Sequence, residues 1–121
     1  MKKKAFSLGE VIVTVIIISI LASIALGNYY VTTVRAREKE AQALLRLIQH
    51  AEEVRMVEVN NYIDCGDTAT CNTNLHLNLP TTSWAYSVAV NGATFCATAV
   101  RSGANTFHIR NGEADPSGGG C

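Results

Sequence analysis

The sequence predicts an α+β fold in which one long amino-terminal helix is packed on a small antiparallel three-stranded β-sheet. Three observations carry this. An apolar run, followed by an apolar stripe at steps of three and four, fills the first half of the chain. Two segments of alternating character flank Asn91-Gly92 in the second half. A third alternating segment follows after a short polar connection. One helix laid across one sheet is the smallest two-layer arrangement that buries both apolar faces. A length of 121 residues suits a single small domain.

The helix begins with a segment suited to lipid. Residues 11–26 are apolar apart from Thr14, Ser19 and Ser23. Counted from Phe6 to Leu26, the segment spans roughly 31 Å as a helix, about the thickness of a bilayer core. Its Ile and Val content favours strands in water, but a lone strand leaves its backbone unpaired in lipid, so helix is expected. Asn28, Tyr29 and Tyr30 follow at interfacial depth. Lys2, Lys3 and Lys4 precede it and favour a cytoplasmic amino terminus, an argument opposed by Arg35, Arg37 and Lys39 on the far side. Glu10 is the anomaly, because a carboxylate one turn inside an apolar helix is costly to desolvate. An ordinary secretory signal, cut after Ser23-Ile24-Ala25, is the alternative. It accommodates neither the apolar length nor Glu10 well.

Beyond the apolar run, Ala41, Leu44, Leu45, Ile48, Ala51 and Val54 form one stripe, with charged residues around much of the remainder. No Gly or Pro interrupts residues 28–59, and Asn60-Asn61 offers a stop. Gly27 is the weak point of the helix, either allowing a bend or permitting close helix contact. Residues 62–83 read as loop. Strands are then expected at 84–90 and 93–100 around a type I′ turn at Asn91-Gly92. This pairs Val90 with Ala93, Val88 with Phe95, Tyr86 with Ala97 and Trp84 with Ala99. A third strand at 106–110 turns Phe107 and Ile109 to the Phe95 face if the connection holds an odd number of residues or a bulge.

Charge and motifs remove several function classes. Ten basic residues balance ten acidic ones. Taking the three leading lysines from the ten leaves seven against ten, a formal −3, which argues against an intrinsic electrostatic grip on nucleic acid. His50, His76 and His108 are scattered and form no nucleophile or metal spacing. No catalytic residue, cofactor site or metal site is expected. The four cysteines all lie after residue 64, an even count in keeping with disulfides. Four cysteines allow three connectivities. The layout favours Cys65 with Cys71, closing a polar loop, and Cys96 with Cys121, anchoring a glycine-rich tail.

Lys4-Ala5-Phe6-Ser7-Leu8-Gly9-Glu10, followed by the long apolar run, resembles the prepilin signature of the type IV pilin and type II secretion pseudopilin superfamily. Residues 20–30 resemble the end of the pilin membrane segment. The close resemblance covers residues 2–60; the remainder is similar in layout only. Ala5 stands where the family usually has Gly, Gly9 where it has Ile or Val, and Gly27 where many members have Pro. The resemblance implies a leader at 1–5, a transmembrane and filament-core segment at 6–27, and a globular pilin domain at 28–121 that includes the second half of the helix. It implies cleavage between Ala5 and Phe6 by a prepilin peptidase, methylation of the new Phe6 amine, and pairing of Glu10 with that amine in assembly. Implied partners are identical or homologous subunits, the peptidase, the inner membrane before assembly and an assembly platform. Implied locations are the inner membrane, then an extracellular filament or a periplasmic pseudopilus.

Three roles share this signature: a pilus subunit, a type II secretion pseudopilin, and a minor tip pilin that binds surfaces or DNA. Major pseudopilins commonly carry an acidic calcium-binding loop where this chain has Cys96 and Cys121 available, which tilts the expectation towards a pilus subunit.

Overall fold

The computed structural model describes residues 3–121, so residues 1–2 of the expected leader, Lys2 among them, lie outside the described residues. The chain forms two compact units that divide after Ala36. Helix α1, Leu8–Val59, contributes to both. It stops where Asn60 adopts a left-handed conformation at φ 55°, with its N–H donating to the Met56 carbonyl. Asparagine tolerates that conformation better than most residues, so it closes a helix well.

The second unit holds the last part of α1, a short helix α2 at Thr68–Leu75, and strands β1 (Ala85–Asn91), β2 (Thr94–Val100), β3 (Phe107–Arg110) and β4 (Ser117–Gly118). The sheet is antiparallel with order β1-β2-β3-β4. The α+β layout of one helix on one sheet is present, with four strands rather than three. The added strand is the two-residue β4, supplied by a glycine-rich tail whose composition carries no strand signal.

Ala41, Leu45 and Ile48 of α1 share one core cluster with Trp84, Tyr86, Val88, Phe95, Ala97, Ala99, Phe107 and Ile109. Tyr62 packs edge-on against Phe95, with ring centroids 4.8 Å apart. The alternation expected for the strands therefore places the expected residues inward.

Three details differ from the sequence expectation. The hairpin pairs Asn91 with Thr94, Val90 with Phe95, Val88 with Ala97 and Tyr86 with Ala99. Its loop is Gly92-Ala93, with φ +63° at Gly92 and no positive φ at Ala93. That fits a type II′ turn, which needs glycine first, rather than type I′. A slip of two residues keeps every side chain on its face, so apolar pattern alone does not separate the two registers. Next, the expected loop at 62–83 contains α2. Asp67 caps it, its Oδ1 accepting from the Thr70 N–H at 2.7 Å, and His76 ends it at φ 54°. That hydrogen bond holds the Asp67 carboxyl below its ordinary range. Eight residues of modest helix propensity give too short a stretch for periodicity to show.

The third difference is the buried face of α1. Val54 is 55% exposed, whereas Gln49 and Glu52 are buried. Both polar side chains serve backbone outside α1. Gln49 Nε2 donates to the carbonyls of Arg110 at 3.0 Å and Glu113 at 2.8 Å. Glu52 Oε2 accepts from the Ile63 N–H at 3.0 Å. They tie the segments after β3 and after α1 to the helix.

Burial pushes the Glu52 carboxyl above its ordinary value of 4.5, opposed by the Ile63 hydrogen bond and the Arg55 charge, with Asp64 adding a smaller push upward. The folded chain thus keeps this proton to higher pH than the unfolded chain. Stability from this group falls as pH rises from its ordinary value through the raised one, and the cost is complete above it. Glu52→Gln keeps an acceptor for Ile63 and removes the titration. Urea unfolding of the full chain in micelles, followed by Trp84 fluorescence, should show a flatter pH dependence across that window and no loss of stability at neutral pH. An unchanged slope would remove Glu52 from the account.

Candidate functional site in the amino-terminal helix

Most of the first unit is helix, and that helix is apolar on every side. Ile12, Ile16, Ile20, Leu21, Ile24 and Leu26 are each more than half exposed, as are Phe6 and Leu8 before them. A helix that is apolar all round requires an apolar surrounding rather than one partner face. Among the described residues, one helix is long and apolar enough to cross a membrane, and it is this one, with an 18-residue window of mean hydropathy 2.5.

The polar interruptions are internally satisfied. Thr14 Oγ1 donates to the Glu10 carbonyl at 2.7 Å, Ser19 Oγ to Val15 at 2.7 Å and Ser23 Oγ to Ser19 at 2.8 Å. Each hydroxyl returns its proton one turn back along the helix, so none presents an unpaired donor to an apolar medium. Their i, i+4 carbonyls were available to any helical reading of the sequence.

The start of α1 shows what sequence reading missed about Glu10. Ser7 is the residue before the first helical turn. Its N–H donates to Glu10 Oε2 at 2.8 Å, and the Glu10 N–H donates to Ser7 Oγ at 3.3 Å. This reciprocal pair is a capping box, and Ser7-Leu8-Gly9-Glu10 is its sequence signature. Glu10 therefore has a local partner within its own chain. One carboxylate oxygen is engaged with the Ser7 amide. The surface around it, lined by Phe6, Ser7, Gly9, Glu10, Val13 and Thr14, is a shallow open concavity.

Ala5 and Phe6 lie outside the helix and are exposed, Phe6 by 84%. Gly27 sits within α1, and a Cβ built there meets nothing within 4 Å. Among the described residues no contact requires glycine at that position.

The other candidate residues belong to the second unit. Cys65 is joined to Cys71 with Cα atoms 5.1 Å apart, and Cys96 to Cys121 with Cα atoms 6.1 Å apart. Phe95 and Ala97 point into the core on either side of Cys96, so the Cys96 side chain leaves the opposite face of the sheet. The terminal acids have protein partners: Asp115 pairs with Arg46, and Glu113 Oε2 accepts from the Arg110 N–H at 2.8 Å. The histidines are dispersed: His50 faces Glu53, His76 closes α2, and His108 Nδ1 meets the Gly119 carbonyl. Among the described residues no group of three or more His, Cys, Asp or Glu side chains is placed to hold a metal ion.

No family model, no curated protein and no solved structure matches this chain.

Proposed function

We propose that this chain is the structural subunit of a type IV pilus-like extracellular filament, made as a precursor in the inner membrane and assembled through its hydrophobic amino-terminal helix. The observation that carries the reading is a helix apolar on every side, with a single carboxylate in its first turn. In the membrane, lipid covers that surface. In a filament, the helices of neighbouring copies cover it. A prepilin peptidase cuts the exposed Ala5-Phe6 junction, removes the lysines and methylates the Phe6 amine.

The new positive amine enters the apolar filament core and needs a counter-charge there. Glu10 of a neighbouring copy supplies it. Pairing offsets the desolvation of both groups and sets the axial register between copies. The capping box occupies one oxygen of Glu10, which leaves the other for the incoming amine. Gly27, free of contacts within the chain, allows either a local bend or close approach of a neighbouring helix.

The engagement of Glu113 and Asp115 with Arg110 and Arg46 favours a pilus subunit over a pseudopilin with a calcium-binding acidic loop. The test is intact mass and amino-terminal sequencing of the mature protein, produced in a host that assembles type IV filaments. The expected chain begins at Phe6 and carries one added methyl group. A chain beginning at Leu26, or one retaining Lys4, overturns the reading.

A further inference from the structure

The sheet of the second unit has two outer edges, and each is covered by a segment that a disulfide holds in place. At the β1 edge, Cys65 exchanges two hydrogen bonds with Val88: Cys65 N–H to Val88 O at 3.0 Å, and Val88 N–H to Cys65 O at 2.8 Å. Two residues along, the Tyr86 N–H donates to Thr68 Oγ1 at 3.0 Å. The covering residues are therefore Cys65 itself and the first residue of α2, and the Cys65–Cys71 bond ties one to the other. At the β3 edge, β4 pairs Gly118 with Phe107 and Ser117 with His108. The Gly119 N–H donates to the Thr106 carbonyl at 2.7 Å. The tail then ends at Cys121, bonded to Cys96 on β2.

The tail cover is short. β4 is two residues long and is followed by Gly119 and Gly120, which favour a loose chain. Over β1 the hydrogen-bonded cover is one isolated bridge and one side-chain acceptor, backed by Cys65, Cys71 and Leu75 in the core and by the Ile63 N–H on Glu52.

The strand beneath the Cys65 cover lacks the usual protection of an edge, whereas β3 carries the exposed Arg110. β1 reads Ala-Tyr-Ser-Val-Ala-Val-Asn. It contains no charged residue and no proline. Edge strands ordinarily carry a lysine, a proline or a bulge, because a row of unpaired N–H and C=O groups is a template for another chain. β1 is seven residues long and has none of these devices.

We infer that the two disulfides act as locks on edge covers, and that loss of the Cys65–Cys71 lock opens β1 to strand pairing with a second copy of this chain. The occupant is a second copy because an uncharged β1 presents no repulsion to itself, and every copy carries the same edge. The inference concerns only the second unit and stands whether or not the chain forms filaments.

The test uses the full chain purified in detergent micelles, with hydrogen exchange and particle mass as readouts. In the unaltered chain the Tyr86 and Val88 amides are expected to be protected and the particles uniform. In Cys65→Ser/Cys71→Ser these two amides should exchange roughly tenfold or more faster while the β1–β2 pairs stay protected, and strand-rich oligomers should form. In Cys96→Ser/Cys121→Ser the Gly119 amide should lose protection instead. Ala89→Lys places a charge on the exposed face of β1. Added to Cys65→Ser/Cys71→Ser, it should suppress the oligomers while Tyr86 and Val88 continue to exchange quickly. Oligomers that persist with Ala89→Lys would mark general unfolding and overturn the inference. So would a Cys65→Ser/Cys71→Ser chain that keeps Tyr86 and Val88 protected.

Discussion

Glu10→Ala is expected to leave the precursor inserted and cleavable, yet to reduce its incorporation into filaments by roughly 100-fold. The figure follows from removing one member of a desolvated charge pair, which costs about 3 kcal/mol, and from about 1.4 kcal/mol for each factor of ten. Alanine also removes the acceptor for the Ser7 N–H, whose loss destabilises a helix start by about 1 kcal/mol. The two contributions separate in Glu10→Gln. Glutamine completes a capping box as glutamate does, but carries no charge. If Glu10 acts in assembly through charge, Glu10→Gln fails to assemble almost as completely as Glu10→Ala. Normal filament yield from Glu10→Gln as the sole subunit would reduce the role of Glu10 to capping. The measurement is filament yield by microscopy and sedimentation, alongside the amount of mature subunit in the membrane.

Leu45→Ala should cost the second unit about 2–5 kcal/mol, a large part of the 5–15 kcal/mol typical of a folded domain. Leu45 is fully buried in the cluster between α1 and the sheet, where little can collapse into the space it leaves. Val54→Ala should change stability by no more than about 0.5 kcal/mol, because Val54 is mostly exposed. Urea unfolding in micelles, read through Trp84, measures both; Trp84 is the only tryptophan and is itself buried. Comparable losses from the two substitutions would mean that the core face of α1 is rotated towards Val54.

That pair of residues marks the boundary of what sequence alone supports. A stripe through Ala41, Leu44, Leu45, Ile48, Ala51 and Val54 is a sound reading of apolar spacing, and its first five members are buried or half-buried. The stripe fails at Val54 because the core beyond Ile48 is partly polar. Gln49 and Glu52 are buried there to serve the carbonyls of Arg110 and Glu113 and the amide of Ile63. Those groups come from the end of β3 and from the connections after β3 and α1, at least 11 residues away, so no local pattern announces them.

The same division runs through the rest of the chain. Length and uniform apolarity determine the amino-terminal helix, because nothing but a helix satisfies the backbone of such a segment in lipid. Period-two alternation determines which faces of β1, β2 and β3 turn inward. The hairpin register was left to tertiary structure, since a two-residue slip preserves every face and only the φ of Gly92 and Ala93 decides the turn. β4 and α2 were left to it as well. Each is too short to be stable alone, and each is held by a disulfide and by partners elsewhere in the fold. The Glu10 capping box is local, its two hydrogen bonds joining residues three apart, and Ser7-Leu8-Gly9-Glu10 carries its signature. What the sequence by itself determined is the set of elements whose pattern repeats along the chain. What only the tertiary structure decided is how the unrepeated polar groups and short segments find their partners, because their energies come from contacts between residues far apart in sequence.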